Sequence, residues 1–141
     1  MTDIIGSSTL LGKGFDGSFD GNNKRIHLQI SSSEEVVGLF GVVDEWATEI
    51  KNVIVYGSVV GTKPSGVQFV AGVAAMTYAP IVNCINMASI QSNSSAAGIV
   101  GQLRPDNGVY VNNCINIGKV IGVVYSGGIV ANIYSSGTAV G

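Results

Sequence analysis

Short runs of β-branched and apolar residues alternate with clusters of Gly, Ser, Asn and Asp along nearly the whole chain. The clearest alternation follows Asp20-Gly21-Asn22-Asn23, a stretch of turn chemistry in which Gly and Asn tolerate positive φ and Asx side chains cap their own backbone. There Ile26, Leu28 and Ile30 interleave with Arg25, His27 and Gln29, the period of a half-buried strand. A polar turn at 31–35 closes it. From Val36 onward the chain repeats one plan: an opening of small and β-branched residues, a polar insert, a strand, a small residue (Gly57, Ala88 or Gly118), a second short strand and a loop of Gly, Ser and Asn. No segment carries a capped 3.6-residue stripe, and the best helical candidate, 44–49, is a single turn at most.

The repeats are in register with one another. Asn113-Cys114-Ile115-Asn116-Ile117-Gly118 overlies Asn83-Cys84-Ile85-Asn86-Met87-Ala88 and then Asn52-Val53-Ile54-Val55-Tyr56-Gly57, at offsets of 30 and 31 residues. The glycines opening each unit, Gly38, Gly72, Gly98 and Gly128, are spaced by 34, 26 and 30. A unit of about 30 residues cannot bury its apolar side chains alone, but units stacked about 4.8 Å apart pair every strand with its equivalents. The pattern therefore predicts an all-β solenoid of about four coils, with a lead-in at 1–14 and one repeat domain at 15–141. In such a stack Asn52, Asn83 and Asn113 form one amide ladder and Asn86 over Asn116 another. Gly38, Gly41, Gly72, Gly98, Gly101 and Gly128 mark places where the coil bends sharply or two backbones approach.

Composition changes the picture in one respect. Of 141 residues 46% are hydrophobic and only 11% charged, against about 25% charged in typical soluble domains. Most charges lie before residue 64; from 67 to 141 only Arg104, Asp106 and Lys119 remain. A net charge of −2 with scattered Lys and Arg excludes a nucleic-acid partner, which needs a clustered basic face. The apolar runs are far shorter than the ~18 residues of a membrane span, so no membrane insertion is expected. The N-terminus shows no basic region followed by an apolar core, the mark of a signal peptide. A chain made and used inside a cell and a segment of a longer exported protein both fit.

Openings such as Gly38-Leu39-Phe40-Gly41 and Gly98-Ile99-Val100-Gly101, with Phe19-Asp20-Gly21-Asn22, Glu49-Ile50-Lys51-Asn52-Val53 and Asn113-Cys114-Ile115-Asn116, resemble GLUG-motif repeats over residues 15–141. At Gly72-Val73-Ala74-Ala75 and Gly128-Ile129-Val130-Ala131 the second Gly is Ala, so those glycines serve close approach alone or these two turns differ. The resemblance implies a right-handed parallel β-helix, found in bacterial surface proteins as stalk or interaction modules, with similar repeats in proteins of large DNA viruses. It places the chain at a cell surface if it is part of an exported protein, and in a virion or host cytoplasm if it is whole.

Candidate chemistry is sparse. The acidic residues do not recur at matching positions, so no paired-carboxylate site is visible and no catalytic residue is assigned. Asp16, Asp20 and Asn22 offer oxygens to Ca²⁺ but lack the spacing and closing Glu of calcium loops; stacked Asx turns are the plainer reading. No cofactor is expected. His27 lies on the polar side of its strand without a second ligand. Cys84 and Cys114 fall on adjacent coils, within reach of a disulfide, yet in-register side chains point the same way, which predicts a stacked thiol pair in the core. Strand alternation then leaves two cases. With the cysteines inward, Ile54, Ile85 and Ile115 form an outward apolar stripe suited to a partner; with the isoleucines inward, the cysteines share the outside with Asn86 and Asn116. The expected function is a non-enzymatic structural or interaction module that binds copies of itself or another structural protein. The alternative is a carbohydrate-binding or carbohydrate-cleaving β-helix, with Asp44, Glu45, Trp46 and the loop tyrosines as its candidate residues.

Overall fold

The computed structural model describes residues 3–5, 14–105 and 108–134. They form an all-β parallel solenoid of about four turns with a repeat of about 30 residues. Each coil visits four faces in the same order. The first face stacks Ser18–Asp20, Glu49–Lys51, Ile81–Val82 and Val111–Asn112. The second stacks Arg25–Ser32 and Ile54–Gly61 under two broken coils, Ile85–Asn86 with Ser89–Ser92 and Ile115–Asn116 with Val120–Gly122. The third stacks Val36–Val37, Phe69–Ala71, Ser95–Ala97 and Tyr125–Gly127, and the fourth Phe40–Val43, Ala74–Thr77, Val100–Leu103 and Val130–Ile133. Within the 1–14 lead-in, Asp3–Ile5 adds a parallel strand beneath Ile26–Leu28 on the second face. The 44–49 segment is a loop turned at Glu45 and Trp46.

The core consists of columns of like residues. Phe19, Ile50, Ile81 and Val111 lie one above another, as do Ile30, Val59, Ile90 and Val120, and Phe40, Ala74, Val100 and Val130. Members in the middle coils are buried, and each contributes about 1.5–3 kcal/mol if aliphatic. Two ends bound the columns differently. At the lower end Phe15 and Phe19 pack on Phe40, with ring centroids 5.1 and 5.3 Å apart, and close the core as an aromatic plug. At the upper end Val111, Val120, Ile129 and Val130 are only half-buried, because among the described residues no further coil lies over them.

The corner between the first and second faces explains the asparagines. Asn52, Asn83 and Asn113 all have φ between 53° and 57°, and Asn22 and Asn23 also sit in the left-handed region. Asn accepts this conformation where a branched residue would not. The amide of Asn113 donates to Asn83, one rung of the expected ladder, whereas Asn52 turns its amide down to Asp20 Oδ1 at 3.0 Å. The inner ladder is complete: Asn86 Nδ2 donates to Asn116 Oδ1 at 2.8 Å and to Ala88 O at 3.0 Å, while its own Oδ1 accepts Ala88 N at 3.1 Å. A fully buried amide is thereby satisfied, and it bridges the break in the second face.

Of the two roles open to the glycines, close approach holds at Gly38, Gly72, Gly98 and Gly101. None of Gly38, Gly41, Gly72, Gly98, Gly101 or Gly128 has positive φ. A Cβ on Gly72 would strike Gly98 O at 2.5 Å, and one on Gly98 would strike Gly128 O and the Asn116 side chain. The fourth-face column runs Gly41, Ala75, Gly101, Ala131, so an Ala alternates with a Gly, and the Ala75 carbonyl fills the space a Gly101 methyl would need. Gly98→Ala should therefore destabilise the protein by about 1–3 kcal/mol in urea unfolding, whereas Gly128→Ala, whose Cβ would meet only Asn116 Nδ2 at 3.8 Å, should stay within about 0.5 kcal/mol.

Candidate functional site

The direction of the Asn-Cys strand is settled. Cys84 is fully buried, Cys114 half-buried, and Ile54, Ile85 and Ile115 point outward in register, with Ile115 51% exposed. The next outward column runs His27, Tyr56, Met87 and Ile117, with His27 stacked on Tyr56 at 4.7 Å and 5°. The outer wall of the second face thus changes from Arg25 and His27 in the lowest coil to Ile115 and Ile117 in the highest. Ile117, Ile121 and Val123 are 69%, 43% and 72% exposed. Residues 108–134 carry a single charge, Lys119. The upper edges of the last strands have no partner among the described residues, and edge strands offer rows of free N–H and C=O groups.

The cysteines are both free thiols stacked on adjacent coils. Ile115 N donates to Cys84 O at 2.9 Å, and the Cys114 thiol lies 3.4 Å from Asn112 O and 3.7 Å from Ile81 O. The Cys84 thiol lies 3.4 Å from Val82 O, and its interaction with Cys114 lowers the Cys114 thiol to about 7. The same interaction, together with burial, pushes Cys84 well above the usual thiol range.

The calcium candidates resolve into turn chemistry. Asp20 Oδ1 accepts Asn22 N at 2.8 Å and Asn52 Nδ2 at 3.0 Å, and these bonds, the Asn52 one foremost, lower the Asp20 carboxyl below its ordinary value. Asp16 is not drawn in: among the described residues no three acidic, His or Cys groups converge as a metal site. Trp46 is exposed at its loop and forms no platform with another aromatic.

A second feature was not legible along the chain. The outward columns of the third and fourth faces confront each other across a concave corner, where a Gly101 Cβ would lie 3.1 Å from Phe69 Cβ. Two clefts of about 530 and 520 Å³ open there and share Met76, making one groove along the solenoid axis. Glu34, Glu35 and Asp44 gather at its lower end, a grouping of carboxylates that linear spacing did not reveal. Glu35 is tied to Lys63 at 3.3 Å, and Asp44 Oδ1 accepts Glu45 N at 2.6 Å. Buried Gln68 braces this end, its Nε2 donating to Ser32 O and Glu34 O at 3.0 and 2.7 Å. Its only signal was a polar residue between Val67 and Phe69. At the upper end Arg104 stands between Tyr78 and Tyr134, its guanidinium 5.5 and 4.2 Å from their ring centres.

These features define a parallel β-solenoid with one closed, charged end, one open apolar end and an outer groove. No known protein family, curated protein or solved structure matches the chain, so the likeness to GLUG repeats rests on the repeated residues themselves.

The thiol pair carries a direct expectation. Iodoacetamide should modify Cys114 in the folded protein with a rate that rises through a midpoint near pH 7, leaving Cys84 protected. Cys84→Ala removes the interaction and should move that midpoint upward; peptide mass mapping across pH reads both.

Proposed function

We propose that this chain is a non-enzymatic structural module that joins copies of itself through its upper coil, as a component of a surface fibre, filament or virion. The observation that carries the reading is the contrast between the two ends. The lower end is closed by the Phe15, Phe19 and Phe40 plug and rimmed by Asp16, Asp20, Arg25 and Glu34. The upper coil presents half-open core columns and exposed Ile115, Ile117, Ile121 and Val123, while unpaired strand edges occur at both ends among the described residues. Contiguous apolar surface beside free strand edges is surface that association buries. Because the lower end is plugged and charged, like ends meet: two upper coils face each other about a two-fold axis, each covering the other's columns, and the closed dimer is the unit that enters a larger fibre or virion through other contacts.

The finer attribution to GLUG repeats, with their right-handed winding and a place at a cell surface or in a virion, belongs to the same proposal. It is supported by the shared corner of Gly38 and Gly98 and by the Asn-Cys strand falling at one position in successive coils.

Sedimentation velocity over a concentration series tests the reading. The expected result is a dimer or a larger even assembly that dissociates in the Ile117→Glu/Ile121→Lys variant, with an unchanged far-ultraviolet spectrum since both positions are exposed. Trp46→Glu, at the far end, should leave assembly as it is. A wild-type chain that stays monomeric throughout, or an assembly indifferent to the Ile117 and Ile121 changes, would overturn it.

A further inference from the structure

The groove between the third and fourth faces is built differently in its two halves. Its floor is two columns in register: Val36, Phe69, Ser95 and Tyr125 on one side, Val42, Met76, Gln102 and Asn132 on the other. The lower two coils supply only apolar side chains; in the upper two Ser95 and Gln102 are polar but buried, and the half-buried Asn132 amide and the exposed Tyr125 ring are what the groove presents. Nothing in the coil requires this change, since apolar residues continue up the neighbouring core columns.

Arg104 marks the polar half. It is one of two cations between 67 and 134, and it is held rather than splayed into solvent. Tyr78, Arg104 and Tyr134 follow the paired residues Thr77, Leu103 and Ile133, so they occupy one position in successive coils, and the guanidinium is stacked between two phenol rings. Its Nε donates to Gln102 Oε1 at 2.9 Å. Arg104 lines the upper cleft. A planar fork fixed in this way suits bidentate recognition of a carboxylate, because little entropy remains to be lost on binding.

We infer that the upper half of this groove binds a short oligosaccharide bearing a single acidic sugar, with the sugar carboxylate on Arg104 and neighbouring rings against Tyr125 and Asn132. Three properties select this ligand. An amide, Asn132, beside an exposed tyrosine face, Tyr125, matches a ring that is apolar on its flat side and hydroxylated at its rim. The rungs repeat about every 4.8 Å, close to the length of one pyranose unit, so successive sugars meet equivalent positions. Glu34, Glu35 and Asp44 at the other end of the same groove repel an extended polyanion, which disfavours nucleic acid and polyuronate and leaves one acidic residue placed at Arg104. An extended peptide adding to the free upper edges of Tyr125–Gly127 and Val130–Ile133 would lie across the solenoid axis on the last coil and not along this groove, whose upper half has no row of apolar pockets. The inference is independent of the assembly proposed above.

The test is titration calorimetry of the intact protein with a tetrasaccharide ending in one glucuronate and with the same tetrasaccharide ending in glucose. The acidic form should bind about tenfold more tightly. Arg104→Gln should erase that preference while keeping the weaker binding, Arg104→Lys should retain only part of it, and Tyr125→Ala should weaken both ligands; melting temperatures confirm that each variant is folded. Absence of binding by either sugar overturns the inference. So does a preference that survives Arg104→Gln, or inorganic sulfate or an acidic decapeptide binding as tightly as the acidic sugar.

Discussion

Each strand of this protein lies parallel on the strand one coil below, residue over equivalent residue, and the rest of the structure answers to that stacking. Backbone hydrogen bonds along the stack hold the rungs near 4.8 Å apart, and at that spacing there is no room for an arbitrary side chain wherever two backbones converge. The Gly38, Gly72 and Gly98 corner is glycine because a carbonyl of the next coil occupies the place of a Cβ, whereas at Gly128, in the last described coil, that place is open. The Asn52, Asn83 and Asn113 corner is asparagine because the chain must turn through positive φ there, and an amide also bonds to its neighbour in the stack. Repetition of sequence follows from repetition of environment.

The same stacking creates the features that set the molecule apart from a uniform rod. Columns must end somewhere, and they end differently: phenylalanine rings fill the lower opening, while the upper one leaves its core positions half-covered beside Ile115 and Ile117. Columns also run along the outside, where packing does not dictate their chemistry. The gradient from Arg25 to Ile115 on the second face, and from Val36 to Tyr125 in the groove, is therefore information that stability alone does not require. The Tyr78–Arg104–Tyr134 stack shows how the lattice can fix a charged side chain with ring faces one rung above and one below.

Much of this was legible beforehand for a local reason. Strand alternation at Ile26, Leu28 and Ile30, the turn at 20–23, and the offsets of 30 and 31 residues between the Asn-Cys strands depend on backbone preferences and on the chain's own period. They determined the fold class, the number of coils and the pairing of Asn86 with Asn116. Other features were decided only by the folded chain. Alternation shows that Cys84 and Ile85 face opposite ways, but which of them is inside depends on whether the hydrogen-bonded Asn86 can be satisfied in the core, and it is. Glu34, Glu35 and Asp44 share a cleft, and Arg104 reaches two tyrosines, because inserts of unequal length return to the same lattice position; Tyr78, Arg104 and Tyr134 are 26 and 30 residues apart. By itself the sequence determined the rungs, since these follow from short-range geometry. Tertiary structure alone decided which walls the rungs present, since that depends on which side of each strand had room to be buried.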